Sequence, residues 1–298
     1  MVKPAHIDGY DPDVTEACER VLVSLIRGLG PYKESIFLIG GLVPRYLVKD
    51  RPPKVPAHAG TADVDVVVAL PILTEAEAYS TLEENLTRLG FSREKNAEGI
   101  KTSWRWRNTL ENGIVVILEF LTEAEEGAGV TAKPLPTKGK VSALHIPYVS
   151  MVHDLHDTVE VEAELLGNGG KTTETVHHAD LASFVCLKAF AFDDRNEPKD
   201  AHDLVYCLEY GATEDGELQK RFADALSGKH GEHVTKALLI LKKRFCTDER
   251  TEGYKKDGPV AVSKFEASAG DNVDLLILRQ RVVSDVVTGL IEPLGIGN

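Results

Sequence analysis

The order of apolar and polar residues divides the chain into a strand-rich region followed by a helical one. Apolar residues at helical spacing after Asp11-Pro12 predict a first helix that ends at Gly28–Gly30. Runs rich in β-branched and other apolar residues predict three strands, at 35–41, 62–69 and 114–121. The alternating segment KTSWRWR and the turn signal Asn112-Gly113 predict that 101–121 forms a hairpin.

From about Asp180 the apolar spacing becomes helical and remains so to the end of the chain. Helices are predicted at 180–195, 198–211, 217–226, 233–245 and 273–291. The fold class is therefore predicted as α/β (α+β), with a mixed sheet flanked by helices and a helical C-terminal region. The corresponding domains are 1–175 and 176–298.

Composition limits the classes of function. No apolar run approaches the roughly 20 residues that a membrane span needs, so we expect no membrane. Four scattered cysteines without a CxxC motif indicate neither a zinc site nor a disulfide framework. The scattered cysteines are typical of a cytoplasmic protein with reduced thiols. The net charge of −13 argues against unselective binding of nucleic acid, but it leaves room for a local basic cleft or a basic partner protein.

Asp63 and Asp65 interrupt an otherwise apolar predicted strand. Residues i and i+2 of a strand share a face, so the two carboxylates lie side by side and repel unless a cation is bound. Glu119 interrupts a second apolar strand. If the strands are neighbours, the three acids can hold a pair of Mg²⁺ or Mn²⁺ ions for phosphoryl transfer. The alternative is a solvated strand end, and the two acid-bearing strands together favour the metal site.

Two further features fit phosphate binding. Gly40-Gly41 follows a predicted strand and precedes a short predicted helix, which lets backbone N–H groups approach a phosphate; a plain turn is the alternative. Lys188 lies among apolar residues and shares a helix face with Arg195. A lysine there needs an anionic partner, and a triphosphate is one candidate. An ion-pair network at the turn between two helices is the other, most of all for Asp203.

The segments FLIGGLVPRYL, ADVDVVV and ILEF, in this order, resemble the nucleotidyltransferase superfamily with its polymerase β-like fold. The first also resembles the head of tRNA CCA-adding enzymes. The segment LKAFAFDDRNEPKDAHDL at 187–204 resembles the signature of AbiEii/MenT-type nucleotidyltransferases, the toxins of bacterial toxin–antitoxin systems. Leu42 stands where that family commonly has a small hydroxyl residue.

The resemblance implies a nucleotidyltransferase-type sheet and an Mg²⁺- or Mn²⁺-dependent transfer of a nucleoside monophosphate from an NTP. The acceptor would be a hydroxyl of a tRNA 3′ end or of a protein, and a cognate antitoxin would be a partner. Asp63, Asp65 and Glu119 would bind metal, and these three with Lys188 would be catalytic. The nucleotide-binding residues would be Gly40, Gly41, Arg45, Lys188, Arg195, Lys199, Asp200 and Asp203.

Two other functions remain open on the same fold. One is a small-molecule nucleotidyltransferase of the antibiotic-resistance type, whose basic acceptor would suit the acidic chain. The other is a non-catalytic module that binds a nucleotide or a partner. The basic segments 101–107, 133–140 and 236–245 are candidates for an RNA groove, although a solvated face with a core tryptophan is the favoured interpretation of each.

Overall fold

The computed structural model describes residues 4–68, 76–96, 98–124, 131–133, 141–268 and 270–297. Its contacts divide the chain into two units, each made of several segments. The sheet unit comprises Asp11–Val43 and Gly60–Asp180. The helical unit comprises Met1–Tyr10, Pro44–Ala59 and Leu181–Asn298.

The sheet unit contains nine strands among the described residues. They are β1 (Ile36–Ile39), β2 (Asp63–Val68), β3 (Ser92–Lys95), β4 (Lys101–Thr109), β5 (Val115–Glu123), β6 (Thr131–Lys133), β7 (Ala143–Ile146), β8 (His156–Glu164) and β9 (Lys171–Ala179). The order is β3-β4-β5-β2-β1-β9-β8, and β7 pairs with β5 and β6. The pairs β1–β9, β2–β5 and β5–β7 are parallel and the others antiparallel, which confirms the predicted mixed α/β class.

Nine helices follow in chain order within the described residues. They are α1 (Pro12–Leu29), α2 (Pro44–Leu47), α3 (Ala76–Arg88), α4 (Leu181–Arg195), α5 (Pro198–Tyr210), α6 (Glu217–Ser227), α7 (Gly231–Phe245), α8 (Asp257–Glu266) and α9 (Val273–Ile291). None of these helices is long and apolar enough to cross a membrane. For α3 the sequence predicts a capping box formed by Thr74 and Glu77, and Thr74 lies outside the described residues.

The first helix follows its sequence signals. The Asp11 side chain accepts a hydrogen bond from the Asp13 N–H at 2.9 Å, which caps the N-terminus, and Gly30 ends the helix with φ of 55°. The apolar stripe of α1 is buried, and the helix contacts α3 as well as β2, β5, β8 and β9. One helix thus supports the centre of the sheet, where β2 and β5 are paired.

The elements that were not predicted from the sequence include the short strands β3 and β6 and two longer elements. The first is β9, which pairs with β8 along its whole length, so the predicted domain boundary between 175 and 176 falls inside a strand. The second is α8, which packs against α5 and α9 in the helical unit. The sequence of α8 begins Asp-Gly-Pro, which favours a turn over a helix.

Truncation of Leu25 tests the packing of α1. Its side chain is fully buried, and Leu25→Ala should lower the free energy of unfolding by about 2–5 kcal/mol, because the lost contacts leave a cavity. Ile100 is 60% exposed, so Ile100→Ala serves as the control and should change that free energy by less than about 0.5 kcal/mol. Denaturant unfolding measures both, and equal effects would contradict the assigned core.

Candidate functional site: an acidic face and a buried ion-pair network

The register of β2 and β5 brings the predicted acidic residues together. Asp65 pairs with Glu119 and Asp63 with Ile117 in a parallel ladder. Paired residues on adjacent strands share a face, so Asp63, Asp65 and Glu119 lie on one face of the sheet. All three are partly exposed. On the opposite face, Val64 and Leu118 are fully buried.

The Gly-Gly turn lies directly against this acidic face. Ile39, the last residue of β1, pairs with Asp65. The next residue, Gly40, has φ of 77°, and a Cβ added there would lie 2.0 Å from Asp65 Oδ2. A side chain at this position would force the Asp65 carboxylate to shift, and the positive φ independently favours glycine. Gly41 follows in the same short 3₁₀ turn and is buried.

Arg105 lies beside these acids and pairs with one of them, which the sequence did not indicate. It pairs with Glu119 across β4 and β5, and its Nε lies 3.0 Å from Glu119 Oε1. The two side chains are 32% and 19% exposed, so the ion pair is accessible to water. Among the described residues, the carboxylate oxygens of Asp63, Asp65 and Glu119 do not all lie within 4.8 Å of one another.

The donor set nevertheless fits Mg²⁺ or Mn²⁺. Both ions favour oxygen ligands and take few carboxylates together with water and phosphate. The buried Cys18 thiol is a neighbour that remains protonated, because burial and the charges of Asp63 and Asp65 raise its pKa well above the ordinary value. Asp63 and Asp65 offer the oxygen ligands that these ions favour, and Glu119 could join them by leaving Arg105.

A second group of predicted residues meets in the helical unit. The Lys188 ammonium on α4 donates to Asp203 Oδ2 at 2.7 Å and to Asp200 Oδ1 at 3.0 Å, both on α5. Arg195 donates to both oxygens of Asp200, at 2.6 and 2.9 Å, and Lys199 to both oxygens of Asp203, at 2.8 and 2.9 Å. Three cations thus share two carboxylates, which supply the anionic partner that Lys188 requires.

Burial and ion pairing compete to set the pKa values in this network. Burial opposes ionisation of Asp203, but Lys188 and Lys199 outweigh it and hold the pKa of that carboxyl well below its usual range. Burial also disfavours the charged lysine at 188, yet Asp203 and Asp200 raise its pKa. At Lys199, burial prevails over Asp203, and Lys188 adds repulsion, so the pKa of this amine is lowered.

Two histidines that the sequence did not indicate as site residues, His58 and His202, lie next to this network. His58 Nε2 lies 2.9 Å from Asp203 Oδ1, and the His58 ring stacks on His202 with centroids 5.5 Å apart. The two contacting residues, His58 and Asp203, are 145 positions apart. Local sequence patterns carry no signal for such a contact, and the proline-rich segment 50–60, which contains His58, predicts only a loop.

The remaining predicted residues have different surroundings. Arg45 lies on α2 and is exposed. Trp106 of the basic segment 101–107 is 4% exposed and belongs to the core, which agrees with the favoured interpretation of a core tryptophan in that segment. Of the segment 133–140, the structure describes only residue 133. The acidic face and Gly40-Gly41 belong to the sheet unit, and Arg45 and the Lys188 network belong to the helical unit.

Comparison with known proteins adds no family assignment: no family model matches the chain, and no curated protein is similar to it in sequence.

The buried His58 predicts a pH dependence of stability. Burial lowers its pKa to about 4 from an ordinary 6.5, despite the hydrogen bond to Asp203. Between these values the unfolded chain binds a proton and the folded chain does not, so stability should fall by about 3 kcal/mol as the pH drops from 6.5 to 4.

His58→Gln should flatten this pH dependence, which denaturant unfolding in the presence of a chelator measures at intervals from pH 7 to pH 4.5. His6 is an exposed histidine of the same unit, and His6→Gln serves as the control that keeps the slope. An unchanged slope in His58→Gln would show that the histidine does not titrate as assigned.

Proposed function

We propose that the chain is an Mg²⁺- or Mn²⁺-dependent nucleotidyltransferase that transfers a nucleoside monophosphate from an NTP to an acceptor hydroxyl. The observation that supports it best is the register that sets Asp65 opposite Glu119, with Asp63 on the same face and Gly40 against the Asp65 carboxylate. Three acids beside a glycine turn on one sheet face suit the binding of a metal-bound phosphate.

Each residue of the acidic face has a role in this reaction. Asp63 and Asp65 would hold the divalent ions, which when bound would supply neutralisation of the triphosphate charge and polarisation of the α-phosphate. Glu119 would bind the second ion and help to activate the acceptor hydroxyl, whose proton it would accept. A bond forms between the acceptor oxygen and the α-phosphorus, the bond to the β-phosphate oxygen breaks, and pyrophosphate leaves. The turn at Gly40-Gly41 gives the phosphates access to backbone N–H groups.

The resemblance assigns Lys188, Arg195, Lys199, Asp200 and Asp203 to the nucleotide, and we keep this assignment as part of the proposal. The lysines and Arg195 are already paired with carboxylates, so a contact with phosphate requires one of these ion pairs to open. Arg195 is the best placed of the three, because its side chain is 51% exposed. The exposed Arg45 is also accessible to a ligand.

The acceptor and partner follow from the same resemblance. A tRNA 3′ end or a protein hydroxyl is the proposed acceptor, and the chain would be the toxin of a toxin–antitoxin pair. A small basic acceptor, as in antibiotic-modifying enzymes, is the alternative substrate class. Incubation with labelled nucleotides and either total RNA, protein or aminoglycosides separates these classes by the species that becomes labelled.

Asp65→Asn tests the catalytic proposal. The substitution keeps the shape of the side chain and removes the charge that holds the divalent ion. We expect nucleotide transfer to fall at least about 100-fold, since metal-ion catalysis contributes several kcal/mol. Transfer and pyrophosphate release are measured with each of the four nucleotides, in Mg²⁺ and in Mn²⁺.

The control removes one carboxylate elsewhere in the sheet unit: Glu98→Gln at an exposed turn should keep full activity. If the wild-type protein transfers no nucleotide under any of these conditions, the catalytic proposal is wrong. If it binds nucleotide with equal affinity before and after Asp65→Asn but never turns over, the chain is a binding module.

Arg105→Gln tests whether Glu119 must leave its ion pair to reach a metal. Without the guanidinium, Glu119 becomes available to the ion, and Mg²⁺ binding should tighten about 2- to 5-fold, as expected for loss of an accessible ion pair. Isothermal titration calorimetry measures the change. Arg107 lies two residues along the same strand but pairs with Glu94, so Arg107→Gln should leave Mg²⁺ affinity unchanged. Weaker Mg²⁺ binding in Arg105→Gln alone would contradict this role.

A further inference from the structure

Three side chains of types that ligate metals converge within the helical unit, and none of them is among the ligands assigned to Mg²⁺. His58, His202 and Asp203 each offer one ligand atom, and these atoms lie within 4.8 Å of one another. The side chains are 11%, 3% and 0% exposed. Ligands of one metal ion lie about 2 Å from it and therefore about 3–4 Å from one another, so small side-chain movements would complete the site.

His202 is oriented as metal-binding histidines are. One ring nitrogen, Nδ1, lies 2.8 Å from Glu266 Oε1, and Glu266 is held by Arg279, whose Nε lies 2.6 Å from Oε2. A carboxylate on one ring nitrogen fixes the imidazole and leaves the other nitrogen for a metal. In His202 that other nitrogen is Nε2.

The Nε2 atom of His202 is buried and has no hydrogen-bond partner. A buried polar atom without a partner costs about 1–3 kcal/mol, and most such atoms in folded proteins are satisfied. A bound cation would satisfy this one. His202 therefore points to a ligand independently of the clustering of the three residues.

His58 is also held in place from outside the cluster. Two residues before it, the Pro56 carbonyl accepts a hydrogen bond from the Tyr206 hydroxyl at 2.9 Å. The His58 ring packs against those of Tyr206 and His202, at centroid distances of 4.9 and 5.5 Å. These contacts fix the segment that carries His58 against α5, where Asp203 and His202 are adjacent.

We propose that His58, His202 and Asp203 bind a divalent first-row transition-metal ion, with water completing its coordination. Two imidazoles and one carboxylate suit Zn²⁺, Fe²⁺ and related ions better than Mg²⁺, which favours oxygen ligands. This site differs from the acidic face in ligand chemistry as well as in residues. Bound metal would join the segment Pro44–Ala59 to α5 and so stabilise the helical unit.

Asp203 sets the expected affinity. Its carboxylate also accepts hydrogen bonds from Lys188 and Lys199. A metal ion must share this carboxylate with two nearby amines, which opposes binding through charge repulsion. We therefore expect binding that is weaker than at a closed structural zinc site, yet sufficient to raise the unfolding temperature of the full chain.

The test is a titration of the metal-stripped full-length protein with Zn²⁺ by calorimetry, with Co²⁺ as a spectroscopic probe of nitrogen ligation. We expect one Zn²⁺ per chain at this site and a visible Co²⁺ spectrum. His202→Gln and His58→Gln should each weaken binding at least about tenfold. His6→Gln removes an exposed histidine of the same unit and should leave Zn²⁺ affinity unchanged.

Asp65→Asn distinguishes the two proposed metal sites, because it should leave Zn²⁺ binding and the Co²⁺ spectrum intact. Circular dichroism checks the folding of each variant; if His202→Gln does not fold, the more exposed His58 carries the test. Titrations with Fe²⁺ and Mn²⁺ then identify the preferred ion. Absence of Zn²⁺, Co²⁺ and Fe²⁺ binding to the wild-type protein would overturn the proposal, as would binding that both histidine substitutions leave unchanged.

Discussion

Asp203 carries the interaction on which the helical unit depends. Its carboxylate has no exposed surface, and a charge in such a place is tolerated only when several donors surround it. Lys188 reaches it from α4, Lys199 from the first turn of α5 and His58 from the segment after α2. The helices α4 and α5 are consecutive, but His58 is 145 positions from Asp203, so its contact fixes a distant segment against α5. Loss of one partner would leave the other charges buried and uncompensated.

The acidic face of the sheet also holds several charges close together, but there the cost of burying charge is smaller. Its carboxylates are only partly buried, so water reduces the cost of their repulsion. Glu119 is paired with Arg105, whose guanidinium is itself accessible to solvent. An ion pair of this kind contributes little to stability and is readily exchanged for another partner. An incoming ligand can therefore reach the acidic face directly, whereas at the Lys188 network it must first open an ion pair.

Much of this arrangement could be predicted from local sequence patterns, because the periodicity of a strand or a helix involves only a few neighbouring residues. The period of a strand alone places Asp63 and Asp65 on one face. The register of the hairpin could not be predicted in the same way. A two-residue turn at Asn112-Gly113 would pair Arg105 with Phe120, on the opposite face. The observed loop is closed by the Leu110 N–H and the Ile114 carbonyl, and its extra residue brings Arg105 opposite Glu119.

Contacts between distant segments were beyond prediction for a similar reason: no local period links His58 to Asp203. Yet they determine what the predicted residues can do. Asp203 is shared between the proposed transition-metal site and the ion pair with Lys188, the residue that the family resemblance assigns to catalysis. A cation bound to Asp203 would weaken its hold on the Lys188 ammonium and make that ammonium more available to an anionic ligand. Metal binding in the helical unit and phosphate binding at Lys188 are therefore expected to be coupled, because both depend on the charge of one carboxylate.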